Sequence, residues 1–104
     1  MSMNVVTTLR RPNEAVTITA GTTSDPYWIY SPYATISLVP GSGGTMTLYV
    51  TCSSREAIAA GTANWLAISS MTGISSHTLY TLEGPATAVK VSAVTANGVM
   101  EVVQ

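Results

Sequence analysis

Apolar and hydroxyl-bearing residues alternate repeatedly along this chain. Such alternation confines the backbone to β-strands, because only an extended strand returns every second side chain to the same face. Between Glu14 and Ala20, Val16, Ile18 and Ala20 alternate with Ala15, Thr17 and Thr19. Ala34, Ile36 and Leu38 alternate with Thr35 and Ser37, and Met46, Leu48, Val50 and Cys52 with Thr45, Thr47, Tyr49 and Thr51. A further run sets Thr87, Val89, Val91, Ala93 and Thr95 against Ala88, Lys90, Ser92 and Val94. Shorter runs over Ala63–Ser69 and His77–Leu82 add two strands, and Val99–Val103 adds a closing one. Trp65, inside one of these runs, is expected in the core.

The connections are read from turn chemistry. Pro40-Gly41-Ser42-Gly43-Gly44 breaks two alternating runs and predicts a hairpin between them. Asn97-Gly98 predicts a second hairpin, since a type I′ turn needs positive φ at both central residues. Met71–Ser76 reads as a turn. Ser53–Gly61 differs in kind: a serine cap, the helix formers of Arg55–Ala60 and a closing glycine predict about two helical turns, too few to be stable without packing. This short connection is expected to cross from one sheet to another. Together these readings predict an all-β fold, an antiparallel β-sandwich or jelly-roll-like barrel of about eight strands with one short helical connection. Periodicity leaves jelly-roll and immunoglobulin-like connectivities open. Residues 1–104 are read as one domain. Its first 13 residues form either an edge strand or an arm that docks on a neighbour, and Gln104 ends an ordered strand.

Composition narrows the function. The chain has four Lys+Arg against five Asp+Glu, too few cations for a phosphate-binding stripe, so nucleic acid is excluded as its main ligand. Its single cysteine rules out an internal disulfide. No basic start with an apolar core marks an export signal, and no stretch reaches the roughly 20 apolar residues that span a bilayer. Synthesis in a reducing cytoplasm and no membrane partner are the expectation. Only 9% of residues are charged, against about a quarter in an average chain, while 16 threonines and 12 serines supply the polar surface. A net charge near zero favours association. The composition therefore suits a protein that works against other protein surfaces, including copies of itself.

Catalytic constellations are sparse. One histidine, His77, and one cysteine, Cys52, exclude His- or Cys-based metal clusters. A Cys52–His77 nucleophile pair is set aside because Cys52 shares the apolar strand face of Met46, Leu48 and Val50, where cysteine acts as a small hydrophobe. Glu14, Asp25, Glu56, Glu83 and Glu101 are scattered. The glycines at 41–44 lack the Lys-Ser/Thr of a phosphate loop. No enzyme, cofactor or metal is expected. The concentrated feature is Asp25-Pro26-Tyr27-Trp28-Ile29-Tyr30-Ser31-Pro32-Tyr33, with four aromatic residues bracketed by prolines. Tyr and Trp suit core filling, a partner contact and a sugar-stacking platform alike.

Gly61-Thr62-Ala63-Asn64-Trp65, the turn at Gly73 and Leu82-Glu83-Gly84-Pro85-Ala86-Thr87-Ala88-Val89-Lys90-Val91 resemble small β-rich virion structural proteins of tailed bacteriophages. In those, a Gly-x-Ala-x-Trp segment precedes a Gly-Pro-x-Thr-Ala-Val-Arg/Lys strand and a closing hairpin. Lys90 stands where Arg is commoner, which keeps the charge. The resemblance covers roughly the last half of the chain. It implies a capsid decoration (cement) protein, a head fibre or a tail component, located on the virion. For a cement protein it implies a rigid β-scaffold, commonly trimeric, that binds the major capsid protein or another virion protein. A tail or fibre module binding host glycan is the alternative. On this reading the candidate contacts are Arg10 and Arg11 in the arm, Tyr27, Trp28, Tyr30 and Tyr33 in the aromatic segment, and Lys90.

Overall fold

The computed structural model of the protein describes residues 13–104. The expected arm, with Arg10 and Arg11, lies outside the described residues. Among the described residues nine strands follow in order: β1 (Asn13–Ile18), β2 (Thr22–Thr23), β3 (Tyr27–Trp28), β4 (Tyr33–Pro40), β5 (Thr45–Thr51), β6 (Leu66–Ala67), β7 (Thr78–Glu83), β8 (Ala88–Val94) and β9 (Gly98–Val103). One short helix, α1 (Arg55–Ala60), separates β5 from β6, and a single 3₁₀ turn (Ser69–Met71) follows β6.

These strands form an antiparallel β-sandwich. Sheet A has the order β1-β9-β4-β7, and sheet B the order β2-β8-β5-β6, with β3 also paired to β8. The chain crosses between the sheets repeatedly, with β2–β3 and β5–β6 each consecutive in sheet B, so each sheet collects strands from both halves of the sequence. That interleaving is jelly-roll connectivity, which periodicity alone left open. The alternating runs supply the reason for two sheets: each strand has one apolar face, and burying it requires a second sheet opposite. Ile18, Ala34, Ile36, Leu38, Met100 and Val102 of sheet A meet Met46, Leu48, Val89, Val91 and Ala93 of sheet B in one core. Ile36, Leu48, Val91 and Val102 are wholly enclosed, and each such side chain contributes about 1.5–3 kcal/mol.

Both expected hairpins are corrected. β4 lies in sheet A and β5 in sheet B, so residues 40–44 turn a corner between layers. β8 and β9 are divided in the same way. The two corners lock together instead: Gly41 N–H donates to the Asn97 carbonyl at 2.9 Å, and Asn97 Oδ1 accepts from Ala20 N–H at 2.8 Å. Positive φ at the second corner falls on Thr95 (φ 76°), not on Asn97 or Gly98. Gly98 is glycine because a Cβ there would run into the Met46 side chain.

Helix α1 forms where expected. Ser54 Oγ accepts the Ala57 N–H at 3.1 Å, and Gly61 closes the helix at φ 78°, a left-handed conformation open to glycine at no steric cost. It starts and ends within sheet B, so it does not cross between sheets as expected; the crossing after it is made by residues between β6 and β7. The run Ala63–Ser69 shrinks to the two residues of β6 before the 3₁₀ turn. β5 ends at Thr51, which leaves Cys52 exposed beyond the strand rather than on its apolar face.

Candidate functional site

The aromatic segment is divided by strand alternation. Tyr27 pairs with Val89 and so lies on the inner face of sheet B, where it packs against the core; Trp28 pairs with Ala88 on the outer face. Ile29 is buried, whereas Tyr30 is 67% exposed and Tyr33 59% exposed. The segment is thus core filling at Tyr27 and Ile29 and surface at the remaining aromatics. Pro26, Tyr27, Trp28 and Tyr30 line an open cleft of about 230 Å³.

Gln104 holds this segment in place. Its Nε2 donates to the Trp28 carbonyl at 3.1 Å, and its Oε1 accepts the Tyr30 N–H at 3.0 Å. The side chain is buried, so a planar amide carries the backbone of residues 28–30 at the end of β9. Ile29 N–H adds a bond to the Thr87 carbonyl at 3.0 Å. The sequence reading expected Gln104 to be ordered but missed this positioning role, since nothing local distinguishes it from any terminal polar residue.

Two cation–aromatic stacks cover the outer face of sheet B. The Arg55 guanidinium carbon lies 4.6 Å from the Trp28 ring centroid. Lys90 Nζ lies 4.3 Å from the Trp65 centroid and 5.8 Å from that of Tyr49. Trp65 is therefore half-buried beneath a lysine on the outer surface, not in the core as expected. Register explains the second stack: Tyr49 is opposite both Lys90 and Ala67, which places all three in one row. Such contacts contribute about 0.5–1 kcal/mol at exposed sites and restrain long, otherwise mobile side chains. Arg55 joins by way of the helix cap, which begins α1 just beyond the end of β5.

The outer face of sheet A differs. Alternation about Ser37, which faces Glu101 on one side and Leu79 on the other, brings Tyr33, Glu83, Thr35, Thr81, Val103, Glu101, Leu79 and Val99 to that surface. Ser37 is buried there beneath His77, with Oγ and Nε2 2.7 Å apart. The structure thus gives His77 a serine partner on sheet A, while Cys52 follows β5 in sheet B. Among the described residues no group of three or more His, Cys, Asp or Glu side chains is placed to hold a metal ion. No buried side-chain nitrogen or oxygen there lacks a hydrogen-bond partner.

A scan against protein-family models finds no match, and a search of the curated proteins finds none. Among solved structures, a chain from work described as "Bacillus endospore appendages form a novel family of disulfide-linked pili" is similar at a TM-score of 0.49 and 18% identity. The similarity covers 88% of this chain and 83% of that one. At those values it carries no argument about role.

Proposed function

We propose that this chain is a virion structural protein of a tailed phage, a capsid cement or decoration protein that self-associates and binds the major capsid protein. The observation that carries the reading is the surface aromatic group at one end of the sandwich, with Trp28 and Tyr30 on a backbone fixed by Gln104. Aromatic anchors on a rigid support lose little conformational entropy when covered, the quality that makes them dominant in protein interfaces. The low charge and the phage-like words of the second half agree with that role. Many copies on one shell add avidity to individually modest contacts. In this reading the chain has no catalytic role and its destination is the capsid surface.

The test is binding of purified protein to phage particles that lack it, followed by co-sedimentation. Trp28→Ala with Tyr30→Ala is expected to lower particle occupancy while circular dichroism and melting of the isolated protein stay close to wild type. Full occupancy by the double variant refutes the assignment of this surface. The open aromatic cleft supports a second reading, an adhesin module of a tail or head fibre that binds host glycan. Binding to a glycan array together with no affinity for particles selects that second reading.

A further inference from the structure

The basic side chains of the described residues are confined to one outer face of the sandwich, and the strands of the other sheet carry only acidic ones. Both basic residues among the described residues, Arg55 and Lys90, lie over the outer face of sheet B, each on a tryptophan. The strands of sheet A contain no basic residue among the described residues; on their outer face they carry Glu83 and Glu101, both exposed. Glu56 on α1 and Asp25 between β2 and β3 are the acids nearest sheet B in the chain, and His77 flanks Glu101 through Ser37. Each face also exposes large apolar side chains: Leu79 is 64% and Tyr33 59% exposed on face A, and on face B Val94 is 54% exposed and Trp65, near the other end of β5, is half-buried.

From this complementarity we infer that a second copy of this chain is the occupant of each face, with face A of one molecule stacked on face B of the next. Lys90 and Arg55 are already held by their aromatic neighbours, so pairing them with Glu101 and Glu83 of another copy immobilises little that was free. That removes much of the entropy cost that makes ordinary surface ion pairs weak. Leu79 and Tyr33 then cover Trp65 and Val94. Because the joined surfaces differ, the contact is heterologous: every open assembly keeps one unused face of each kind, and growth proceeds to a closed ring or an open stack instead of stopping at a dimer. The inference rests on and deepens the reading of the chain as a self-associating building block; because Arg55 lies on Trp28, the copy–copy contact reaches the edge of the aromatic surface and leaves exposed Tyr30 for the larger partner.

Analytical ultracentrifugation across a concentration and salt series tests it. Wild type is expected to form species beyond dimers that weaken as salt rises. The double reversals Glu83→Lys/Glu101→Lys and Arg55→Glu/Lys90→Glu are each expected to raise the apparent Kd at least about tenfold, because like charges then meet. An equal mixture of the two is expected to associate again. Circular dichroism checks the fold of each variant. Should a reversal unfold, Glu101→Gln and Lys90→Gln replace it, with weakening in the same direction. A wild type that stays monomeric, variants that associate like wild type, or a mixture that does not recover overturns the inference. Particle binding by wild type is measured separately, so loss of the face-to-face contact and loss of the cement role give different results.

Discussion

Gln104→Ala isolates the part of the structure on which the aromatic surface depends. The substitution deletes two hydrogen bonds, to the Trp28 carbonyl and from the Tyr30 N–H, and leaves both backbone groups in a part-buried site. A net contribution near 1 kcal/mol per bond, with a desolvation penalty for the partners left behind, gives a loss of about 2 kcal/mol. For a domain near 100 residues that lowers the melting temperature by roughly 8–15 °C. Urea denaturation gives the free energy, and amide hydrogen exchange at Tyr30 reports the local loss directly. Gln104→Leu supplies the control: it fills the same space but pairs with neither backbone group, so it is expected to behave like the alanine variant. If Leu restores wild-type stability, packing and not the amide holds residues 28–30. If both variants keep the Tyr30 amide protected, the reasoning fails.

The other expectations probe the core, the inter-sheet corner, the helix cap and the surface stack. Leu48→Ala removes a wholly buried side chain at the centre of sheet B and is expected to cost about 2–5 kcal/mol in a denaturant titration. Gly44→Ala places a Cβ 2.8 Å from that of Ala96 and 3.0 Å from the Val94 carbonyl oxygen. Overpacking of the two locked corners is expected to cost about 1–3 kcal/mol, read as a lowered melting temperature. Ser54→Ala removes the cap of a helix with no buried residue, at about 1 kcal/mol; faster exchange at the Ala57 amide with little change in global melting is the expected signature. Lys90→Ala frees the Trp65 ring and is expected to alter tryptophan fluorescence at a cost under about 1 kcal/mol.

Strand positions and their inward faces were legible because alternation reports burial directly. Val16 and Ile18, then Ala34, Ile36 and Leu38, then Val89, Val91 and Ala93 all turn inward as their spacing requires. Pairing was not legible. A corner between sheets and a hairpin within one both need Gly, Pro or Asn, and Pro40–Gly44 and Asn97-Gly98 satisfy the composition of either. What decides between them is the partner opposite each strand: β4 and β9 pair with each other, from Thr35↔Val103 to Pro40↔Gly98. With β9 and β7 on its two sides, β4 has no edge left for β5. Cys52 shows the same limit at a strand end, since alternation continues in sequence one residue beyond the last ladder residue, Thr51.

The candidate site was legible only where its residues are neighbours in sequence. Tyr27, Trp28, Tyr30 and Tyr33 stand out as a cluster, yet which of them faces outward follows from the pairing of β3 with β8, not from their composition. Their companions come from elsewhere in the chain: Arg55 from the helix cap, Lys90 from β8, and Gln104 from a position 76 residues beyond Trp28. The interleaving of a jelly roll produces this scatter, because adjacent strands of a sheet are drawn from opposite halves of the sequence. Segregated charge is hidden for the same reason. Glu83 and Lys90 lie seven positions apart on consecutive strands, β7 and β8, but the crossover between them sends one to sheet A and the other to sheet B. A chain with a net charge of −1 thus keeps both basic side chains of its described residues over sheet B, while the strands of sheet A carry only acidic ones. A protein with so little charge avoids like-charge repulsion between copies, and in the face-to-face contact inferred above the placement of Glu83, Glu101, Arg55 and Lys90 is what sets the orientation of one copy on the next.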